Sequence, residues 1–153
     1  MTRAEQAVAK VLERYPTLLA DEIGRLRAAW AQAPEKLADG AVTPIFSSAH
    51  DLAGYGETFG YPLVTILARS LCRLLTMGDF NRDQMNNVVD AHIATLHVII
   101  RDGIKGPGGA IGIALAAGLD KAIFKFHLAL GTHGACRLSD EVAASQSKQR
   151  PPK

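Results

Sequence analysis

The chain has 153 residues, 48% of them hydrophobic and 21% charged, enough apolar material for one domain with its own core. Its 17 basic and 15 acidic residues leave a net charge of +2, much of it from Lys148, Arg150 and Lys153 at the chain end, so no basic surface stands out and nucleic-acid binding is not expected. Cys72 and Cys136 make neither a disulfide framework nor a Cys-x-x-Cys metal pattern, the N-terminus lacks a signal-peptide core, and no run approaches the roughly 20 apolar residues of a membrane span; a soluble, cytoplasmic protein without membrane attachment is expected.

Thr2 followed by Glu5 is a capping-box signature, and Ala7, Val8, Val11 and Leu12 recur at helical spacing until Tyr15-Pro16, which predicts a short leading helix. Leu18, Leu19, Ile23, Leu26 and Trp30 form the apolar stripe of a second helix, a lid ending near Pro34 or running to Asp39-Gly40. Thr43-Pro44 supplies an N-cap and a proline at the first helical position, opening a helix that closes at Phe59-Gly60. Pro62 opens the next helix in the same way. Its apolar face carries Leu63, Ile66, Leu67, Leu71, Leu74 and Leu75, Met77-Gly78-Asp79 ends it, and the tight join makes the two helices antiparallel neighbours.

A further helix runs from Asn81 or Asp83 to about Arg101 or Ile104, with Met85, Val88, Val89, His92, Leu96, Ile99 and Ile100 on its buried side. Gly106-Pro107-Gly108-Gly109 forms a turn. The last helix, 110–130, directs Ile111, Leu115, Leu119, Ile123, Phe126 and Leu130 inward, weakened by Gly112 and Gly118 by roughly 1 kcal/mol each. From Ser139 the composition turns polar and lacks the apolar residues that offset ordering entropy. No internal repeat and no sheet-forming pattern of period two is present. The expected class is all-α: an antiparallel four-helix bundle over 41–135, an N-terminal helical segment over 1–40 packing on it, and a flexible polar tail over 136–153.

The chemistry points to one stretch, Ser48-Ala49-His50-Asp51-Leu52-Ala53-Gly54-Tyr55-Gly56-Glu57-Thr58-Phe59-Gly60. Ile45, Ala49, Leu52, Gly56 and Phe59 are spaced 4, 3, 4, 3, the seam of a helix packed in a bundle. His50 lies one residue past that seam, about 100° around the helix, shouldered by the core yet open to water. A neutral imidazole is a competent nucleophile near pH 7. Its neighbours at helical spacing are Phe46, Ser47, Ala53, Gly54 and Glu57, and a glycine inside a helix costs stability, so Gly54 suggests close approach of a partner surface.

The segment Ala49-His50-x-Leu52-x-Gly54, with Phe59-Gly60 and Leu63, resembles the active-site signature of histidine-containing phosphotransfer (HPt) domains, the shuttle modules of multistep two-component relays. The resemblance covers about residues 43–130 and is most specific from 49 to 63. It implies that His50 takes a phosphoryl group on Nε2 from the aspartate of a receiver domain and passes it to another receiver, with Gly54 clearing space for docking. It also implies receiver domains, and a hybrid histidine kinase, as partners of a monomer that holds no cofactor, the Mg2+ belonging to the receiver. The family usually has lysine three residues after the histidine, where this chain has Ala53. A hairpin turning near Gly60-Tyr61 puts Arg69 and Arg73, one turn apart on the next helix, at about the height of His50, where either can replace that cation.

Other histidines carry less. His92 and His97 are five apart, a poor spacing for two ligands on one face, and His92 reads as a half-buried helix residue; His127 and His133 lack acidic companions. No Gly-Lys-Ser/Thr follows the glycine-rich turn and nothing resembles an ATP-binding kinase domain, so phosphate has to come from outside. The alternative is a non-phosphorylated adaptor that keeps the docking face and sequesters a receiver or another helical partner. A third reading is a dimeric bundle joined through Ile111–Leu130. Specificity is expected from Phe46, Ser47, Asp51, Tyr55 and Arg69 around the histidine.

Overall fold

Thr2 starts the first helix with the capping box its sequence predicts: the hydroxyl accepts the Glu5 N–H at 3.2 Å, and the Glu5 carboxylate accepts the Thr2 N–H at 2.7 Å. The computed structural model describes residues 2–37, 42–76, 80–131 and 137–148. The expected break at Tyr15-Pro16 does not occur, and a single helix, α1 (Arg3–Ala31), runs through Pro16. An interior proline removes one helical hydrogen bond. Here it falls in a half of the helix, Arg3 to Leu18, where no described side chain is buried, so water can satisfy the freed carbonyl. Burial begins at Leu19 and continues through Ile23, Leu26 and Trp30.

The end of α1 is tied across the fold. The Trp30 indole N–H donates to the Asn86 side-chain oxygen at 3.1 Å, and the Arg82 guanidinium lies 5.7 Å from the Trp30 ring centre while donating to the Ala33 carbonyl. Beside this contact, β1 (Lys36–Leu37) and β2 (Phe80–Asn81) form a two-residue antiparallel ladder with Lys36 opposite Asn81. Two residues are too few to leave an alternating pattern in the sequence.

The next two helices, α2 (Thr43–Thr58) and α3 (Pro62–Leu75), are joined by three residues, with Gly60 at a positive φ of 85°. Ile45, Ala49, Leu52 and Gly56 are buried on α2, as the seam requires. On α3 burial extends nearly all round, taking in Val64, Thr65, Ala68 and Ser70, because neighbours cover it on several sides. The helix α4 (Arg82–Arg101) buries every residue expected of it, and Ile93 besides; His92 is fully buried rather than half-buried. The Met77-Gly78-Asp79 stop, His133 and Cys136 lie outside the described residues.

On α5 (Gly109–Leu130), Leu119 and Phe126 are buried, Leu115, Ile123 and Leu130 are half-buried, and Ile111 is 60% exposed against expectation. The cause is Gly112. A Cβ there would stand 2.8 Å from the Pro107 carbonyl oxygen and 3.3 Å from the Leu63 methyls, so the helix meets α3 on its glycine and turns Ile111 away.

The segment 138–148, expected to be part of a flexible tail, is instead a helix, α6 (Leu138–Lys148), docked on α3 and α5. Leu138 and Val142, one turn apart, are buried. The Asp120 carboxylate caps the helix, accepting the N–H groups of Leu138 and Ser139 and the Ser139 hydroxyl at 2.6–3.0 Å. Residues 149–153 lie outside the described part.

These contacts revise the expected layout. Around the core, α1 touches α2 and α4, and α3 touches α2 and α4, so the N-terminal helix is an equal member of that ring. The main contacts of α5 are with α4 and α6. The class is all-α, and among the described residues no helix is long and apolar enough to cross a membrane.

Candidate functional site

Thr65 sets how α2 and α3 meet. Its hydroxyl donates to the Ala53 carbonyl at 2.9 Å and accepts the Glu57 N–H at 2.7 Å, standing between two groups that an undisturbed helix joins directly. Only a glycine at position 56 permits this approach, since a Cβ would lie 2.7 Å from Thr65 Oγ1, 2.8 Å from its nitrogen and 2.9 Å from the Tyr61 carbonyl. With this latch fixed, the residues four and eight positions after Thr65 on α3, Arg69 and Arg73, climb toward the level of His50 on α2.

His50, Ala53, Gly54, Arg69, Cys72 and Arg73 line one open pocket of about 450 Å3. The His50 ring is exposed and stacks on Phe46, ring centres 6.0 Å apart and planes 25° apart. Among the described residues it makes no hydrogen bond or ion pair. Gly54 is exposed with no atom within 4 Å of a Cβ built on it, so the surface beside the imidazole is open. Ser47 is exposed on the same helix but does not line the pocket. Asp51 is half-buried, and Tyr55 is 45% exposed.

The two arginines differ. Arg69 is exposed and has no ion-pair partner among the described residues. Arg73 donates to Glu141 of α6 at 2.9 Å, a pair whose side chains are 56% and 28% exposed and which on that account adds less than about 1 kcal/mol to stability. Between them Cys72 is half-buried, and burial raises its thiol pKa despite the opposing effect of Arg73, so it stays protonated at neutral pH.

Behind the pocket, α3 is clamped to α4 by His92. Its Nδ1 lies 2.7 Å from the Val88 carbonyl and its Nε2 3.0 Å from the Ser70 hydroxyl. A carbonyl only accepts, so Nδ1 carries the proton and Nε2 accepts from Ser70. Burial lowers the His92 pKa to about 4 against the opposing Val88 hydrogen bond, with Arg73 adding a smaller push in the same direction. The ring is neutral and structural.

His97 is exposed on α4, and His127 is buried edge-on to Phe126 on α5, far in sequence from the pocket residues. Among the described residues no group of three or more His, Cys, Asp or Glu side chains is arranged to hold a metal ion. Of the residues expected around His50, Ala53, Gly54, Arg69 and Arg73 line its pocket and Phe46 stacks on its ring, while Ser47 does not reach the pocket. Sequence reasoning misses Thr65, Ser70 and Glu141. Thr65 and Ser70 are legible only as polar interruptions of an apolar face, and Glu141 falls in a segment whose polar composition hides a docked helix.

No protein-family model matches the chain, and neither does any curated protein or solved structure.

Proposed function

We propose that the protein is a histidine phosphotransfer module of a multistep two-component relay, accepting a phosphoryl group on His50 from a receiver aspartate and delivering it to another receiver. The observation that carries this reading is the pocket itself: an exposed imidazole on a helix flank, an arginine with no ion-pair partner among the described residues, and an open glycine beside it. The cyclic contacts of α1, α2, α3 and α4 support a four-helix bundle as the scaffold, with the histidine on its second helix.

In the transfer, the Nε2 lone pair of neutral His50 attacks phosphorus, the N–P bond forms, and the P–O bond to the aspartate breaks with its electron pair leaving on the carboxylate. Nδ1 keeps its proton, so no general base is required. The transferring group is anionic throughout, and catalysis is largely positioning and charge stabilisation. Arg69 supplies the cation that Ala53 does not, while the receiver brings its metal ion. Phe46 holds the ring by stacking and Gly54 leaves room for the incoming surface.

The second reading, an adaptor that docks a receiver without being phosphorylated, draws on Ala53 and on the engagement of Arg73 by Glu141, which among the described residues leave Arg69 as the pocket's one guanidinium without an ion-pair partner. Stopped-time transfer from a phosphorylated receiver separates the two. The phosphotransfer reading expects label on the wild type and none on His50→Ala, and a rate about tenfold lower in Arg69→Ala, the equivalent of one charge-assisted hydrogen bond of about 1.5 kcal/mol. Receiver binding with no label on the wild type supports the adaptor instead.

A further inference from the structure

We propose that Glu141, on the C-terminal helix, is a positioning residue that sets how much positive charge the His50 pocket presents, by holding Arg73. The proposal rests on the reading of His50 as phosphoacceptor and adds a control that the sequence around the histidine does not contain.

Three observations carry it. First, α6 is anchored at both ends and along its length: Asp120 caps its start, Leu138 and Val142 are buried beneath it, and near its end the Gln146 side-chain amide donates to the carbonyls of Pro107 and Gly109 at 2.8 and 2.9 Å. Glu141 is therefore held in place next to Val142. Second, Arg73 lines the His50 pocket and at the same time donates to Glu141 at 2.9 Å, so one residue belongs both to the pocket and to the α3–α6 contact. Third, Arg69 in the same pocket has no such partner among the described residues, so the carboxylate of α6 acts on one of the two arginines alone.

Among the described residues the resting pocket thus offers one cation paired with a carboxylate, Arg73, and one that is not, Arg69. Phosphorylation of His50 adds close to two negative charges at the pocket, and Arg73, more than half exposed, can turn from the half-buried Glu141 carboxylate to a phosphoryl oxygen. Glu141 competes with the phosphoryl group for Arg73. Its presence lowers the stability of the phosphorylated state and favours passing the group onward.

The test compares wild type, Glu141→Gln, Glu141→Asp, Arg73→Ala and the Glu141→Gln/Arg73→Ala double variant, each treated with phosphoramidate. The proposal expects phosphohistidine to live about two- to fivefold longer in Glu141→Gln, the range an exposed ion pair commands. Glu141→Asp restores the wild-type lifetime, the gain disappears in the Arg73→Ala background, and the effect shrinks at high salt. A structural role for Glu141 alone does not produce that dependence on Arg73 and salt. Equal lifetimes for wild type and Glu141→Gln overturn the proposal while leaving His50 as acceptor. If His50 takes no phosphoryl group at all, the acceptor reading fails, and titration of inorganic phosphate followed by the His50 ring NMR signals still decides on Glu141: tighter phosphate binding in Glu141→Gln supports its hold on Arg73, and unchanged binding overturns it.

Discussion

Acidification should unfasten α3 from α4 through His92. The ring is fully buried, with Nδ1–H on the Val88 carbonyl and Nε2 accepting from Ser70, and burial lowers its pKa from 6.5 to about 4. In the unfolded chain the imidazole regains its ordinary pKa and binds a proton that the folded state refuses. Stability is therefore complete above pH 6.5, falls as pH drops from 6.5 toward 4, and levels below that. At about 1.4 kcal/mol for each tenfold change in proton affinity, the full loss is about 3 kcal/mol. Urea unfolding of wild type and His92→Gln between pH 7.5 and 4 isolates this term, because carboxylate titrations are common to both proteins. The stability difference between them should narrow by about 1.4 kcal/mol per pH unit across the window. A difference that does not change with pH, or a His92 ring that titrates near 6.5 by NMR in the folded protein, refutes the reasoning.

The two glycines of α2 should respond in opposite directions. Gly54→Ala meets no atom and relieves the entropic cost of a helical glycine, raising stability by about 0.5–1 kcal/mol, whereas Gly56→Ala drives a methyl into Thr65 and the Tyr61 carbonyl and lowers it by about 1–3 kcal/mol; denaturant midpoints measure both. Leu138→Ala, which empties a site only 1% exposed, should cost about 2–5 kcal/mol and expose the C-terminal segment to protease, and no change in either would mean that α6 contributes nothing to the fold.

The sequence is legible where one periodicity has one physical cause. The 4-3-4-3 seam from Ile45 to Phe59 places His50 one position off the core, and the structure buries Ile45, Ala49, Leu52 and Gly56 while leaving the histidine exposed. The apolar faces of α3 and α4 are equally direct. Composition misleads where a few contacts outweigh it. The other nine residues of α6 are polar or small, yet Leu138, Val142 and the Asp120 cap dock the helix. Pro16 signals a break, but it falls in a stretch of α1 where no described side chain is buried, and the helix runs through it. Closure of the ring by α1 depends on contacts between distant segments, such as Trp30 with Asn86, that no local pattern records. The placement of Arg69 and Arg73 beside His50 follows from a hairpin argument, while the Thr65 hydroxyl that fixes it is one polar atom among leucines.

The proposed function requires that His50 accept a phosphoryl group. Intact mass after exposure to phosphoramidate, with and without a later acid step, tests this directly. The expected result is a gain of one phosphoryl group in the wild type, lost in acid, mapped to His50 and absent from a folded His50→Ala. An unmodified wild type, or a label that survives in His50→Ala, contradicts it.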